Sequence, residues 1–437
     1  MSGSTGQRPF SGQDSAVKRA TRGRRRFEGE TFGGKRLVDA AEGSKLRAAM
    51  SFSRRTQHES EPNSVALAVR ARRAAGLPIC DLTQSNPTLA NLPYDSGRIL
   101  RALSDAKSMV YEPASFGLES ARREVQGLQR AAGFEIPVEQ IVLTSSTSEA
   151  YGFLFKLLCD ADDEVLIPQP SYPLFEHLAA LEQVKVASYE LAYDGSWHID
   201  FDSLARARSS RTRAVVVVNP NNPTGSFLKR DELRRLLELG LPIISDEVFS
   251  SFALGSDARR VASVLETDEA LVFALGGLSK LAALPQLKLA WLCAAGPKAL
   301  LGDALSRLEL IADTFLSPNT PVQHALPEVL ATRVPVEKAL NARIQQNHAE
   351  LRRALAGTAA TPLFLEGGWY AVVRLPALLS EAEWVLELLE QDGVLTQPGW
   401  FYDFSAGAQL VLSLITEEAP FALGVSRIAE RVRRVAG

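Results

Sequence analysis

The stretch Asn-Pro-Asn-Asn-Pro-Thr-Gly at residues 219–225 follows directly after Ala-Val-Val-Val-Val at residues 214–218. A β-branched run without polar alternation is typical of a strand that is buried on both faces of a sheet. The two prolines and the glycine that follow make a rigid turn, which gives the side chain of Asn222 little freedom. A tight turn alone rarely needs so many constrained residues. We therefore interpret this segment as a functional turn at the end of a central strand.

On both sides of this strand, short apolar runs alternate with helical segments. The other runs predicted to be buried strands are Ile141–Thr144, Glu164–Ile167, Ile243–Ser245, Leu271–Leu275 and Leu287–Leu292. The segments predicted to be helices between them are Ala150–Leu158, Pro173–Leu181 and Arg230–Leu239. Alternation of this kind indicates an α/β fold in which helices cover a mainly parallel sheet.

The carboxy-terminal part of the chain shows a different pattern. Two long helices are predicted at Lys298–Phe315 and Lys338–Leu355, and a strand is predicted at Gly367–Val373. We expect this part to pack with the residues that precede the main sheet, so that both ends of the chain build a smaller domain. The predicted domains are a large one at residues 92–318 and a small one that combines residues 60–91 with residues 319–437.

The composition argues against several classes of protein. Of the 437 residues, 46% are hydrophobic and 23% are charged, which is the balance of an ordinary globular protein. The net charge of −3 gives no indication of a nucleic-acid partner. Cys80, Cys159 and Cys293 lie far apart without metal-binding spacing, so we expect no metal, no disulfide and a cytoplasmic location. The apolar runs are too short to span a bilayer, so we expect no membrane partner.

The first 49 residues differ from the rest of the chain. They hold eleven Lys or Arg against five Asp or Glu, are rich in Gly and Ser, and show no apolar periodicity. Such a segment cannot bury enough apolar surface to offset the entropy that ordering costs, so we expect a disordered basic extension at residues 1–49. The alternatives are an Arg-rich targeting peptide, which the acidic residues argue against, a basic arm that binds nucleic acid, and a protein that starts at Met50.

Residues 1–49 are expected to be dispensable. A chain that begins at Met50 should match the full chain in melting temperature and in turnover, because the extension adds no apolar surface to a core. Calorimetry and a turnover assay on the two chains check this. An insoluble shortened chain, or the loss of a nucleic-acid affinity that the full chain shows, would contradict the expectation.

Polar side chains follow several of the predicted strands. Ligands bind at the carboxyl ends of the strands in open α/β sheets. Ser145-Ser146-Thr147-Ser148 lies between the first strand and a helix. Backbone N–H groups at such a helix start can bind an anion, although Ser and Thr there are also ordinary helix caps. Asp246 and Lys280 follow two other strands, and this pair alone would be interpreted as a solvated salt bridge.

The combination of these motifs is more specific than any one of them. Asn-Pro-Asn-Asn-Pro-Thr-Gly, then Ser-Asp-Glu-Val at residues 245–248, then Ser-Lys at residues 279–280, resembles the class I/II aminotransferases of fold type I, the aspartate aminotransferase superfamily. The resemblance covers most of residues 60–437, and no nicotinamide or Walker-type glycine pattern competes with it. It implies pyridoxal 5′-phosphate (PLP) as cofactor. It also implies a large domain with a mainly parallel seven-stranded sheet, plus a smaller α+β domain from both chain ends.

The resemblance assigns roles around the cofactor ring. Lys280 matches the lysine that binds PLP covalently and later moves a proton on the substrate. Asp246 matches the carboxylate that pairs with the pyridine nitrogen, and Asn222 matches the asparagine that bonds the cofactor's 3-oxygen. Tyr172 matches the aromatic residue that stacks on the pyridine ring, and its alternative is a packing tyrosine at an interface.

The resemblance also assigns residues to the cofactor phosphate. Ser146, Thr147 and Ser148 match the phosphate-binding helix start. Lys288 falls where the family has a phosphate-binding Arg or Lys, and its alternative is an exposed strand residue. Tyr111 matches a tyrosine that reaches the phosphate of the neighbouring subunit, which implies a homodimer with shared active sites.

The sequence departs from the family pattern at three positions. Phe249 stands where the family often has a tyrosine that donates to the 3-oxygen, and Gly277 stands where it often has a phosphate-binding serine. The family's near-terminal Arg-Leu-Ser, whose arginine binds the substrate carboxylate, is here Val-Leu-Ser, with Val411 in place of the arginine. Arg374 is the nearest candidate to bind the substrate instead, and its alternative is a structural ion pair.

The resemblance favours an aminotransferase that moves an amino group between an amino acid and a 2-oxo acid. A second hypothesis is another PLP reaction on the same fold, namely a β-lyase, a decarboxylase or a cyclising synthase. The missing arginine increases the weight of this second hypothesis. A third is a PLP-binding regulator or an inactive relative, which the presence of both Lys280 and Asp246 argues against.

Overall fold

The computed structural model describes residues 52–56, 63–316, 318–405 and 407–437, so the extension predicted at residues 1–49 lies outside the described residues. The strands in the described part of the chain are β1 (Cys80–Asp81), β2 (Ile141–Thr144), β3 (Glu164–Gln169), β4 (Lys185–Tyr193), β5 (Trp197–Ile199), β6 (Thr212–Val218), β7 (Ile243–Asp246), β8 (Val272–Gly277), β9 (Ala290–Ala295), β10 (Thr361–Pro362), β11 (Tyr370–Leu375), β12 (Val394–Leu395), β13 (Gln397–Pro398) and β14 (Ala408–Ser413). The α-helices there are α1 (Ser64–Ala74), α2 (Ser96–Leu103), α3 (Glu119–Ala131), α4 (Thr147–Leu158), α5 (Phe175–Leu181), α6 (Phe201–Ala207), α7 (Arg230–Leu237), α8 (Leu278–Leu281), α9 (Lys298–Phe315), α10 (Thr320–Leu355), α11 (Glu381–Asp392) and α12 (Glu418–Ala436).

The main sheet has the strand order β2-β9-β8-β7-β6-β3-β4-β5. The pairs from β8 through β7, β6 and β3 to β4 are all parallel, whereas β9 runs antiparallel to both of its neighbours. The predicted α/β class and the mainly parallel sheet are confirmed. The sheet has an eighth strand beyond the predicted seven, the three-residue β5, which forms a hairpin with β4.

The strand directions place the predicted functional segments at one edge of the sheet. Because β2 and β8 are both antiparallel to β9, they point the same way as β3, β6 and β7. The segments that follow β2, β6, β7 and β8 therefore leave the sheet on the same side. These are the serine-rich helix start, the asparagine turn, Asp246 and Lys280.

Two of the predicted bounds that differ from the structure have an identifiable cause. The strand predicted from Leu287 begins at Ala290, because Lys288 has a φ of 55° in the left-handed region and cannot continue an extended strand. The helix predicted from Lys338 begins at Thr320 and contains Pro327 and Pro335. Prolines predict helix breaks in a sequence. Here the helix continues through them because its buried face packs along its whole length.

The smaller domain contains a four-stranded sheet in the order β10-β11-β14-β13 and the short parallel pair β1-β12. Helices α1, α11 and α12 pack around these strands. Strand β1 precedes the main sheet in the chain and β12 follows it. Their pairing therefore brings segments from both ends of the chain into the smaller domain, as expected.

Helix α10 packs on both parts of the molecule. Val322 and Val329 belong to the apolar cluster of the main sheet, whereas Leu340 and Ile344 belong to the cluster of the smaller sheet. The part of this helix before Pro335 therefore packs on the main sheet and the part after it packs on the smaller sheet. The predicted domain boundary between residues 318 and 319 lies just before the start of the helix. Among the residues that the structure describes, no helix is long and apolar enough to cross a membrane.

Candidate active site

Lys280 lies on the short helix α8, directly after the central strand β8. Its Nζ is 4.9 Å from the ring centroid of Trp369 and 5.4 Å from that of Phe249. Burial lowers the pKa of the Lys280 ammonium to about 8, and the negative charge of Asp246 opposes this shift. A sizeable fraction of this amine is therefore unprotonated near neutral pH, which makes it a nucleophile.

Asp246 is the last residue of β7 and lies beside Lys280 at the strand-end edge. Its Oδ1 accepts a hydrogen bond from the Val248 N–H at 3.3 Å, and its Oδ2 accepts one from the Tyr151 hydroxyl at 3.4 Å. Burial raises the pKa of Asp246 to about 6, and these two hydrogen bonds and the Lys280 charge oppose the shift. The carboxylate is thus ionised at neutral pH and has a cation as its neighbour.

The turn at residues 219–225 is held by its own side chains. Asn219 donates from its amide to the Val261 carbonyl at 3.0 Å, and the Leu228 N–H donates to its Oδ1 at 3.0 Å. The Thr224 hydroxyl donates to the Asn221 Oδ1 at 2.9 Å. Asn222 is only 8% exposed, and its Oδ1 has no hydrogen-bond partner among the described residues. A buried amide oxygen without a partner is costly, and a group that donated a hydrogen bond to it would remove that cost.

The start of α4 carries the serine-rich segment. Ser146 is the N-cap, and its Oγ accepts a hydrogen bond from the Glu149 N–H at 3.2 Å. The Ser145 N–H in turn donates to the Glu149 carboxylate at 2.6 Å. Thr147 and Ser148 occupy the first turn, where backbone N–H groups and the helix dipole attract a phosphate. Ser146 thus caps the helix, and the hydroxyl groups of Thr147 and Ser148 are not needed for the cap.

Tyr172, Tyr370 and Tyr402 lie close together, and Tyr172 is near Asp246. Burial and then the charge of Asp246 raise the pKa of Tyr172, whose side chain is 43% exposed. The pKa of Tyr370 and that of Tyr402 are also raised, first by burial, and Tyr172 contributes to both shifts. The Ser171 N–H donates to the Tyr402 carbonyl at 3.0 Å. Tyr172 is therefore placed at the edge of the site, near enough to Asp246 for their charges to interact.

The other residues predicted for the site, Lys288, Tyr111 and Arg374, are exposed. Ala290 pairs with both Thr144 and Gly277, so the exposed Lys288, two residues earlier, lies at the edge that carries the serine-rich helix start. Tyr111 is 70% exposed on the surface. Arg374 is exposed, and its guanidinium is 5.3 Å from the ring of Tyr193.

The structure does not bring Tyr111 or Arg374 into contact with the Lys280 group within the described chain. Arg374 lies four residues beyond Tyr370 on an extended strand, which corresponds to a distance of about 13 Å. Val411, which stands in place of the family's arginine, is fully buried and pairs with Val372.

Sequence analysis missed Tyr151 and Trp369, which both touch the site. Tyr151 lies within the helix predicted at Ala150–Leu158, and the hydrogen bond from its hydroxyl to Asp246 is what distinguishes it from a packing residue. Trp369 precedes β11 and covers Lys280. Its only signal in the sequence is the glycine pair before it. No group of three or more His, Cys, Asp or Glu in the described ranges could hold a metal ion.

The family model for aminotransferase class I and II matches residues 100–410. The chain belongs to this family. The predicted family resemblance is therefore confirmed, and the matched region includes the asparagine turn, Asp246 and Lys280.

Individual members of the aminotransferase class I and II family are similar at modest identity. The chain is 28% identical over 305 residues to nicotianamine aminotransferase B of Hordeum vulgare, a match that covers 66% of this chain and 55% of that protein. The chain thus spans little more than half the length of that relative. It is 28% identical over 304 residues to the glutamate-pyruvate aminotransferase AlaA of Escherichia coli strain K12, covering 66% of this chain and 74% of that protein. It is 26% identical over 351 residues to human tyrosine aminotransferase, covering 76% of each.

Solved structures of aminotransferases share the fold. An aminotransferase from Escherichia coli aligns with a TM-score of 0.77 at 21% identity, covering 88% of this chain and 98% of that one. An alanine aminotransferase from Pyrococcus furiosus aligns with a TM-score of 0.77 at 22% identity, covering 85% of this chain and 96% of that one. At these identities the likeness extends to the fold and not to the substrate.

Proposed function

We propose that this chain is a PLP-dependent aminotransferase that transfers an amino group between an amino acid and a 2-oxo acid. The observation that carries the proposal is that Lys280 and Asp246 lie at the ends of neighbouring parallel strands, near enough for their charges to interact. Burial brings the pKa of the lysine down and that of the carboxylate up, so the two groups titrate around neutral pH.

The residues of the site fit PLP. Asn222 is only 8% exposed, and its Nδ2 amide would donate a hydrogen bond to the 3-oxygen of the ring, while the Ser146–Ser148 helix start suits the phosphate. Lys280 would hold the cofactor covalently and then accept and return the proton at the substrate carbon. Asp246 would keep the pyridine nitrogen protonated, and Tyr172 would lie against the ring. Bound PLP supplies an electron sink for the charge that develops when that carbon loses its proton.

The same residues would serve a β-lyase, a decarboxylase or a cyclising synthase. The relatives favour amino transfer, because they are named as aminotransferases acting with nicotianamine, glutamate and pyruvate, or tyrosine. We do not assign Arg374 to the substrate, because its guanidinium stacks on Tyr193 and not beside Lys280.

We further propose that the working form is a homodimer in which Tyr111 reaches the phosphate of the neighbouring subunit. Tyr111 follows Met109 and Val110, and the three side chains are 70%, 88% and 67% exposed, respectively. A contiguous exposed apolar segment of this kind is typical of an interface. We also propose a cytoplasmic location, in line with the free Cys80, Cys159 and Cys293.

A half-reaction screen tests the proposed function. The purified full chain, loaded with PLP, is mixed with each proteinogenic amino acid in turn, and the visible cofactor band is followed. An amino donor should convert this band to the absorbance of the pyridoxamine form, with one equivalent of the 2-oxo acid detected by mass spectrometry. Release of carbon dioxide, or release of ammonia without conversion of the cofactor to the pyridoxamine form, would overturn the proposal in favour of a decarboxylase or a lyase.

Phe249→Tyr is expected to shift the pH titration of the bound cofactor to lower pH. The ring centroid of Phe249 lies 5.4 Å from the Lys280 Nζ. A hydroxyl on this ring would donate a hydrogen bond to the anionic 3-oxygen of the cofactor. Such a bond favours the anionic form and lowers the pKa of the linked nitrogen by about one unit, equivalent to about 1.4 kcal/mol. A spectrophotometric titration of the PLP-loaded proteins measures it.

Phe249→Leu, which adds no hydroxyl, is the matched control for this titration. It should leave the midpoint close to that of the wild type. An unchanged midpoint in Phe249→Tyr, or an equal shift in Phe249→Leu, would show that the 3-oxygen does not lie next to residue 249.

A further inference from the structure

Glu366 forms a buried ion-pair cluster outside the cofactor-binding residues. Its carboxylate accepts hydrogen bonds from the Lys229 Nζ at 2.7 Å and from the Arg260 Nε at 3.0 Å. The side chains of Glu366, Lys229 and Arg260 are only 4%, 13% and 12% exposed, respectively. Within the described residues, Glu366 is the ion-pair partner of both cations. One carboxylate is therefore shared by two buried positive charges that belong to the large domain.

Glu366 also ties its own backbone to the large domain. The Phe227 N–H donates to the Glu366 carboxylate at 3.2 Å, and the Leu254 N–H donates to the Glu366 carbonyl at 2.7 Å. Two residues on, the Gly368 N–H donates to the Phe252 carbonyl at 2.9 Å. The segment that leads into β11 is thus fixed to the large domain immediately before Trp369.

The same segment rests directly on the asparagine turn. A Cβ added at Gly225 would lie 2.4 Å from the Gly367 carbonyl oxygen and 2.2 Å from the Leu365 Cδ1. Gly225 has a φ of +69°, so both its conformation and its surroundings require glycine. The turn that presents Asn222 and the segment that presents Trp369 therefore touch, and Glu366 lies at their contact.

We propose that Glu366 is a positioning residue for the reaction proposed above: it fixes the Gly367–Trp369 segment against the asparagine turn and so keeps Trp369 packed over Lys280. Trp369 is fully buried, and the centroid of its ring lies 4.9 Å from the Lys280 Nζ, so this ring is part of what buries the amine. Glu366 acts through this contact and through the turn that carries Asn222.

Glu366→Gln tests this in the full chain. The neutral amide removes the ion-pair partner of Lys229 and Arg260, and their repulsion should move the segment and expose the Lys280 amine to water. In the cofactor-free protein, the pKa of that amine should rise by about one unit, a tenfold change in its protonation equilibrium. Competitive acetylation with acetic anhydride across pH, read on the Lys280 peptide by mass spectrometry, measures it. In the PLP-loaded enzyme, kcat should fall about a hundredfold, since small misplacements have effects of this size.

A double-mutant cycle with Trp369→Ala separates positioning from general destabilisation. If Glu366 acts through Trp369, the effects of Glu366→Gln and Trp369→Ala on the Lys280 pKa and on kcat are strongly non-additive. Additive effects would overturn the proposal. Because Glu366→Gln could fail to fold, Glu366→Asp is made in parallel. It retains the charge but cannot reach both cations, and wild-type values for a folded Glu366→Asp would also overturn the proposal.

Asp392→Asn is the matched control. Asp392 is the acid of another buried cluster, with its Oδ2 2.7 Å from the Arg431 Nε and side-chain exposures of 9% and 13%. This variant should lower the melting temperature as Glu366→Gln does and leave the Lys280 pKa unchanged. An equal pKa change in Asp392→Asn would overturn the proposal. The acetylation needs neither cofactor nor turnover, so it decides the role of Glu366 even if no amino donor is found and the proposed function fails.

Discussion

Lys280→Ala should abolish the visible absorption band of PLP on the protein and reduce amino transfer by at least about a thousandfold. The side chain supplies both the amine that would hold the cofactor and the base that would move a proton at the substrate carbon. It is the lysine that follows a central strand, lies beside Asp246 and is covered by Trp369 and Phe249. Absorbance spectra and single-turnover kinetics measure the two losses.

Lys280→Arg is the control for the charge of this residue. A guanidinium preserves the positive neighbour of Asp246 but cannot act as a nucleophile, because it stays protonated. We expect it to be as inactive as Lys280→Ala. Borohydride reduction of the PLP-loaded wild type, followed by peptide mapping, identifies the attached lysine directly. Label on a lysine other than Lys280 would refute the assignment.

The parts of the site that could be predicted are those in which sequence neighbours are also spatial neighbours. Asp246 and Lys280 follow their strands directly, so the strand order alone brings them to one edge. The rigid turn that carries Asn222 is likewise complete within seven residues of sequence. The α/β fold was predictable for the same reason, since strands buried on both faces leave an uninterrupted apolar signal.

The parts that could not be predicted depend on contacts between distant segments. Tyr151 bonds Asp246 across 95 residues of sequence, and Lys229 bonds Glu366 across 137. Nothing in the local pattern distinguishes these residues from a core tyrosine or a surface ion pair. β4 was not identified because its side chains are mostly half-buried or exposed, so no continuous apolar run marks it.

Asp246→Asn is expected to reduce amino transfer strongly while the protein stays folded. The neutral amide cannot stabilise a proton on the pyridine nitrogen, and the loss of one member of a buried ion pair costs about 3–5 kcal/mol. In kinetic terms this corresponds to a reduction of kcat by a factor of about 100 to several thousand. Steady-state kinetics with the donor found in the half-reaction screen gives the value.

The stability of the cofactor-free protein should depend on the protonation of Asp246 and therefore on pH. Burial raises the pKa of Asp246 from 3.8 to about 6, so the folded state binds this proton more tightly than the unfolded state. The stabilisation that the proton gives is fully present below about pH 4 and is lost as pH rises through about 6. At pH 8 the buried carboxylate therefore lowers the free energy of unfolding by about 3 kcal/mol relative to the protonated form. Asp246→Asn lacks this pH-dependent term, so its stability relative to the wild type should be more favourable at pH 8 than at pH 5.

Glu247→Gln is the matched control for both the kinetics and the stability of Asp246→Asn. Glu247 is the next residue, its carboxylate accepts a hydrogen bond from the Val264 N–H at 2.9 Å, and burial raises its pKa to about 7. Neutralising it removes a comparable buried charge outside the proposed cofactor contacts, so amino transfer should persist. Denaturant unfolding of the cofactor-free proteins at pH 5 and pH 8 gives the stabilities. If Asp246→Asn retained wild-type activity, or if Glu247→Gln lost as much, the carboxylate at the end of β7 would not be the partner of the cofactor ring.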